Sequence, residues 1–234
     1  MNQKTSRCIL PTGFLLSAFA LLVSTLLGFG GFSIQAFGGY VITGHVSKLQ
    51  MVFLILTGLG LILSGLAYVN QAKKQKIKNP NLILLLHLAA STVLFAIAIF
   101  GLTSQLRGAD FWAETTFEEA QTTLLFNSLT LTSFIVLGTL QLTLSIIFIK
   151  TKMLQKHRLS KAAIYLTLTL GILLIIKTII DYPLIKETIF VLSYMLKIPF
   201  PNNIISITAP LIYLSAQIAI AIILLNNQKP LANQ

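Results

Sequence analysis

The sequence predicts an all-α membrane protein, a bundle of six transmembrane helices with a short interfacial helix between helices five and six. Hydrophobic residues make up 55% of the 234-residue chain and charged residues only 10%, whereas a soluble domain carries about 25% charged residues. Uncharged apolar stretches of about 20 residues, enough to cross a bilayer, recur along the chain. They are continuous, without the alternation of membrane β-strands. We therefore expect one integral membrane domain over residues 1–234.

The six predicted spans are each about 28–39 Å long as helices, which covers a hydrocarbon core of about 30 Å. They comprise residues 11–34, 51–69, 82–104, 124–149, 162–180 and 204–225. The first is predicted to be a retained helix, because the apolar run from Ile9 to Ile34 is longer than a signal-peptide core and no A-x-A site follows. Cys8 is the only cysteine, which excludes an intrachain disulfide. We expect a free thiol there, with lipidation as the alternative.

The positions of the basic residues predict that both termini are cytoplasmic, since cytoplasmic loops carry an excess of Lys and Arg. In that orientation the cytoplasmic segments contain Lys4, Arg7, Lys73, Lys74, Lys76, Lys78, Lys150, Lys152, Lys156, Arg158, Lys161 and Lys229. The outer segments contain only Lys48, Arg107, Lys177, Lys186 and Lys197, together with the acidic residues Asp110, Glu114, Glu118, Glu119, Asp181 and Glu187. The net charge of +11 is thus explained by a lipid bilayer as partner, without nucleic acid. The expected location is the cell membrane (inner or plasma membrane), with a multi-pass topology.

Span two contains closely spaced small residues in "TGLGLILSGLA". Gly60 and Ser64 form a small-xxx-small step, which lets another helix backbone approach closely. The step is therefore a candidate contact for a partner helix. The alternative is an incidental glycine, since glycine is frequent in membrane helices.

The segment before span four, "GADFWAETTFEEAQTT", is predicted to begin a helix that continues into the span. Asp110, Glu114 and Glu118 are spaced four residues apart, so a helix places them on one face. One interpretation of this outer acidic face is a vestibule that attracts cations. The other is a solvated helix start, with acids near the positive end of the helix dipole.

Span five contains the ionisable residues Lys177 and Asp181 in "GILLIIKTIIDYPLIKE". The helix inserts regardless, because its many aliphatic residues outweigh one lysine at about +3 kcal/mol. Helical side chains tilt toward the helix N-terminus, so Lys177 leans into the membrane and Asp181 leans back toward it. We expect Lys177 to face the bundle within about 4 Å of a carboxylate. The pair is either a working charge pair, as intramembrane ionisable residues often are, or the polar edge of a span.

Further polar residues occur at matching depths of the predicted spans. Asn127 in span four and Thr208 in span six lie near the level of Lys177. Pro210 is expected to kink span six and to free a backbone carbonyl there. An inner polar layer consists of His87, Gln141, Gln217 and Tyr68. Such layers serve either as a solute path or as interhelical hydrogen bonds, each worth about 0.6 kcal/mol.

A short helix is predicted after span five in "PLIKETIFVLSYMLKIPFPNN". Pro183 cannot continue the preceding helix without loss of a hydrogen bond. About fourteen residues are too few to span a bilayer. We therefore expect an amphipathic helix on the outer surface, with a re-entrant segment as the alternative.

Three segments carry a resemblance to a known family: "KTSRCILPTGFLLSAFALL", "IFIKTKMLQKHRLSKAAIYL" and "APLIYLSAQIAIAIILLNNQK". With these segments the chain resembles a bacterial family of six-helix integral membrane proteins, classified as a domain of unknown function. The resemblance covers most of the chain in order and length. It implies the six-helix plan and no activity.

Two classes of function follow. The first is a non-enzymatic membrane protein, such as a permease, channel or accessory subunit, in which the Lys177–Asp181 pair and the outer acids attract or gate a small polar solute. The second is a membrane-embedded enzyme or lipid-handling protein with its site at the outer leaflet. The sequence contains no phosphate-binding glycine loop, G-x-S-x-G or H-E-x-x-H motif. We therefore predict no catalytic residue, metal or cofactor and favour the first class, with a purely structural bundle as a third possibility.

Overall fold

The computed structural model describes residues 3–30, 48–75, 77, 79–103, 117–151, 154, 159–196 and 201–226. Within these ranges the regular structure is entirely α-helical. The helices are α1 (Gln3–Gly30), α2 (Lys48–Lys74), α3 (Pro80–Thr103), α4 (Phe117–Lys150), α5 (Ser160–Asp181), α6 (Pro183–Leu196) and α7 (Pro201–Asn226).

Five of these helices are long and apolar enough to cross a membrane. The qualifying segments are Lys48–Lys74, Pro80–Thr103, Ser128–Lys150, Ser160–Asp181 and Ile204–Asn226. In α1 the apolar stretch found among the described residues is shorter, Thr12–Leu26. The chain is therefore a multi-pass membrane protein with a helical bundle, as its composition predicts.

Six of the helices close into a ring. Each packs against the next in the order α1, α2, α3, α4, α5 and α7, and α7 returns to α1. Helix α6 lies outside this cycle and packs against α5. The ring encloses an interior that is lined by one face of each of its six helices.

Neighbouring helices of the ring run in opposite directions. Ser24 at the far end of α1 donates to the carbonyl of Gln50 at the start of α2. Gly171 of α5 lies against Leu142 of α4, and Gly138 of α4 against Ile175 of α5. Lys177 near the end of α5 reaches Ser206 near the start of α7. One end of the ring, called here the basic end, is where α1, α3 and α5 begin and where α2, α4 and α7 end. It carries the exposed lysines Lys73, Lys74, Lys150 and Lys161. The opposite end, called the α6 end, is where α5 passes into α6.

Helices α1 and α2 pack closely against each other through glycine. A Cβ atom added to Gly13 would lie 2.7 Å from the backbone nitrogen of Ser64, and one added to Gly60 would collide with the backbone of Ser17. Because glycine has no side chain, the two backbones can approach this closely. The small-residue step of span two is thus occupied by α1 of the same chain.

Two helix boundaries are set by proline. Helix α5 ends at Asp181, Tyr182 is extended, and Pro183 begins α6, so the break predicted before Pro183 is confirmed. Between α2 and α3, Asn79 has a left-handed φ of 58°. Asparagine tolerates this conformation better than most residues, and Pro80, which suits a first helical position, begins α3 directly after it.

Helix α4 begins earlier than the predicted fourth span. It starts at Phe117, so the expected continuation of the acidic segment into the span is present from that residue onward. Glu118 lies in α4, although its side chain is outside the described part of the chain, and Asp110 and Glu114 lie outside the described residues altogether. The outer acidic face therefore stays a prediction from the sequence.

The outward surface of the ring is aliphatic. Exposed leucines and isoleucines occur on every ring helix, among them Leu15, Leu59, Leu66, Leu85, Ile99, Ile135, Ile146, Ile172, Ile179 and Leu211. In water, such extensive apolar exposure would promote association. In a bilayer, the same surface contacts lipid chains.

Candidate polar path inside the ring

Lys177 is buried near the α6 end of α5, with 7% of its surface exposed. Its Nζ lies 3.1 Å from Asp181 Oδ2, inside the 4 Å limit expected from the sequence. It also donates to Ser206 Oγ of α7 at 2.8 Å and stands 4.9 Å from the ring centroid of Phe134 on α4. The ammonium group therefore has a counter-charge, a hydroxyl acceptor and an aromatic face around it.

These contacts show that Lys177 points into the ring. Helices α4 and α7 are the two neighbours of α5, and a buried side chain that reaches both of them lies on the inward face of α5. Asp181 follows by four residues and so shares this face. Lys177 therefore faces the interior of the helical bundle, and its role as a site residue stays a prediction.

A second set of polar residues lies about 10 Å deeper. Phe134 and Ser206 mark the level of Lys177 on α4 and α7. Seven residues toward the basic end, which is two helical turns and about 10 Å, α4 carries Gln141 and α7 carries Tyr213. A seven-residue step returns nearly to the same helix face, so both side chains point into the same interior as Lys177. Gln141 is 1% exposed and Tyr213 is 3% exposed.

Tyr213 connects α7 to α1 at this middle level. Its hydroxyl donates to Ser17 Oγ at 3.1 Å, and the Ser17 hydroxyl donates to the carbonyl of Phe14 at 3.0 Å. This short chain of hydrogen bonds satisfies both hydroxyl groups without solvent. It also ties the first helix of the ring to the last.

A third level lies near the basic end, where aromatic side chains meet. Tyr68 of α2 packs edge-on against Phe14 of α1 at 5.0 Å between ring centroids. The same ring lies 5.4 Å from His87 of α3 and 5.7 Å from Phe148 of α4. Phe148 is seven residues beyond Gln141, so it stands one level below Gln141 on the same face of α4. This aromatic cluster closes the interior toward the basic end.

Two buried polar atoms on these levels have no hydrogen-bond partner among the described residues. They are the hydroxyl oxygen of Tyr68 and the side-chain oxygen Oε1 of Gln141. Each such atom costs about 1–3 kcal/mol when it is removed from water without a partner. By contrast, His87 donates from Nδ1 to the carbonyl of Ile83 at 2.7 Å. The two unpartnered polar atoms thus mark a place where a further polar group would be stabilised.

The structure brings together only part of the residues that the sequence grouped. Thr208 donates to the carbonyl of Ile204 in its own helix at 2.9 Å, so its hydroxyl is directed to the α7 backbone. Asn127 lies in α4, with its side chain outside the described part of the chain. In the inner layer, Tyr68 and His87 are in contact, while Gln141 stands one level above them. Gln217 is buried on α7, one turn below Tyr213.

Sequence reasoning missed Ser206, Phe134 and Ser17. The proline at position 210 is the one signal that pointed toward Ser206, because Pro210 lacks the N–H that would bond the Ser206 carbonyl four residues earlier. Serine on an aliphatic helix is otherwise common, and its partner depends on which helices are neighbours. Within the described residues no group of three His, Cys, Asp or Glu side chains is close enough to hold a metal ion.

No protein-family model, curated protein or solved structure matches the chain. The resemblance to the six-helix family of unknown function therefore stays a prediction from the sequence.

Proposed function

We propose that this multi-pass membrane protein is a permease for small polar solutes, with its path along the axis of the six-helix ring. In this proposal α1 crosses the membrane together with the five longer apolar helices, which makes six spans in all. The basic end faces the cytoplasm, and the protein resides in the cell membrane. Helix α6 lies on the outer surface of the bilayer. Lys177 and Asp181 then stand at the outer part of the path.

The observation that carries the proposal is the alignment of polar side chains on inward faces. Lys177 with Ser206, then Gln141 with Tyr213, and then Tyr68 with His87 occupy successive levels. In a membrane interior polar side chains are costly and cluster at sites of function. A purely structural bundle would use polar side chains for hydrogen bonds between its helices. It would not need unpartnered polar atoms on two successive levels.

The proposed orientation is supported by charge at the two ends. Among the described residues, four exposed lysines lie at the basic end and two, Lys48 and Lys186, at the α6 end. The positive-inside rule assigns the end richer in lysine to the cytoplasm. At the α6 end, helix α6 exposes Val191, Leu192, Met195 and Leu196. A helix of fourteen residues with such a surface suits the boundary between headgroups and acyl chains.

Uptake into liposomes tests the proposal directly. The purified protein is reconstituted, and entry of a panel of small neutral and charged solutes is followed by light scattering after an osmotic step. We expect at least one solute to enter several-fold faster than in protein-free liposomes. Lys177→Met should change that rate several-fold, because it removes the charge at the outer part of the path. Lys161→Met, at an exposed position of the basic end, is the matched control and should behave as wild type.

A panel in which every solute enters at the rate of protein-free liposomes would refute the permease. One observation favours a second candidate in that case. Lys177 is fully engaged by side chains of its own chain, which is how an ion pair that only fastens α5 to α7 would look. An accessory membrane subunit would then show no uptake, yet would lose stability when the pair is broken.

A further inference from the structure

We infer that the ring interior between the middle level and the aromatic cluster binds a small neutral molecule that carries hydroxyl or amide groups. The inference rests on the proposed permease and adds its substrate class. It starts from the two unpartnered atoms, the Tyr68 hydroxyl and Gln141 Oε1. Both belong to side chains that are 1% exposed.

The two atoms face a common part of the interior. Tyr68 lies in the aromatic cluster against Phe148, and Gln141 is two turns from Phe148 on the same face of α4. Side chains of α2 tilt toward its N-terminus, which is at the α6 end, so the Tyr68 hydroxyl is directed from the cluster toward the level of Gln141.

The hydrogen-bonding capacity of the two atoms defines the ligand. A tyrosine hydroxyl donates one hydrogen bond and can also accept, whereas an amide oxygen only accepts. A molecule that accepts the Tyr68 proton and donates to Gln141 Oε1 must therefore carry an acceptor and a donor. Hydroxyl groups and amides do so in small organic solutes. Water does so as well, and the experiment below separates it from such solutes.

Charge excludes ionic ligands from the same space. Among the buried residues that the structure describes, Lys177 is the one charged side chain, and Asp181 neutralises it at 3.1 Å. The middle level contains Gln141, Tyr213 and Ser17, which are uncharged groups. The aromatic cluster adds uncharged Tyr68 and the imidazole of His87, which carries no fixed charge and bonds the carbonyl of Ile83 through Nδ1. An ion at this depth would lack a counter-charge, and such burial is strongly unfavourable. A neutral solute does not meet this cost.

The experiment compares glycerol, lactate and water in the same reconstituted liposomes. Glycerol is a neutral probe with three hydroxyl groups, and lactate is an anion of similar size. We expect glycerol to enter faster than in protein-free liposomes and lactate to enter no faster. Tyr68→Phe and Gln141→Leu should each slow glycerol entry by about fivefold, the factor that one neutral hydrogen bond contributes to an equilibrium. Tyr165→Phe, on an outward surface that is 65% exposed, is the matched control and should match wild type.

Tyr68→Phe removes only a hydroxyl that has no partner among the described residues, whereas Gln141→Leu removes the amide nitrogen together with the unpartnered oxygen Oε1. Thermal unfolding in detergent checks that both variants fold, and we expect the melting temperature of Tyr68→Phe to equal or exceed that of wild type. Glycerol entry at the wild-type rate in both variants would overturn the inference. Water entry without glycerol entry would overturn it too, since the unmet atoms would then serve water alone. Lactate entry without glycerol entry would overturn the substrate class while leaving the permease intact, whereas no entry of any panel solute refutes the permease itself.

Discussion

Removal of the Asp181 carboxylate tests how much the ion pair contributes to the fold. Asp181→Asn leaves the Lys177 ammonium buried without its counter-charge. Breaking a buried pair in this way costs about 3–5 kcal/mol. The side chain of Asp181 is 14% exposed, and Lys177 keeps its hydrogen bond to Ser206. We therefore expect a cost at the low end of this range, a loss of about 3 kcal/mol in the free energy of unfolding.

The companion substitution costs less. Lys177→Met removes the charge and retains an unbranched side chain beside Phe134, while the remaining carboxylate is the more exposed member of the pair. We expect a loss of about 1 kcal/mol, as for other volume-conserving changes. The double variant buries no charge at this site, so its loss should be about 2 kcal/mol and not the sum of about 4, which gives a coupling of about 2 kcal/mol.

Reversible unfolding in mixed micelles of dodecyl maltoside and sodium dodecyl sulfate, followed by circular dichroism, gives these free energies. Lys161→Met is the control for loss of a lysine and should lie within about 0.5 kcal/mol of wild type, as exposed substitutions generally do. Two results would refute the reasoning. One is an Asp181→Asn variant as stable as wild type, and the other is a set of single losses that simply add.

Two further predictions concern packing and threading. Gly60→Val should lower the free energy of unfolding by at least about 2 kcal/mol in the same assay, because the added Cβ meets the backbone of α1. The control, Leu59→Val on the exposed side of the same turn, should be nearly neutral. Equal losses in the two variants would contradict the close approach of α1 and α2. In a Cys8→Ser background, a cysteine replacing Lys74 should react with an impermeant maleimide only from the cytoplasmic side, and one replacing Lys186 only from outside. The reverse labelling pattern would invert the proposed orientation.

The existence of the membrane helices follows from local properties of the sequence. A bilayer requires long apolar segments with internally satisfied backbones, so continuous hydropathy predicts helices at nearly the observed positions. Pro183 likewise acts locally, through its missing N–H, and the break there could be foreseen. The closure of the ring could not be predicted in this way, because nothing local in α1 or α7 specifies that the two helices are neighbours.

The candidate site also has features that local sequence predicts and features that depend on helix packing. Asp181 could be named as the partner of Lys177 from the four-residue spacing and the tilt of helical side chains. Ser206 could not, because its distance from Lys177 depends on how α5 and α7 pack. Thr208 was favoured by depth, but depth does not fix the direction of a side chain around the helix axis, and its hydroxyl bonds to its own backbone.

The contact between α7 and α1 has a consequence for biosynthesis. Helix α7 follows every other ring helix in the chain, yet it supplies Ser206 to Lys177 and Tyr213 to Ser17. Until α7 has left the ribosome and entered the bilayer, the earlier helices form an open arc, with the buried lysine and the α1 hydroxyl facing lipid or the insertion machinery. Completion of the ring is therefore a late event, and a nascent chain stalled before α7 would present these polar groups to membrane quality control.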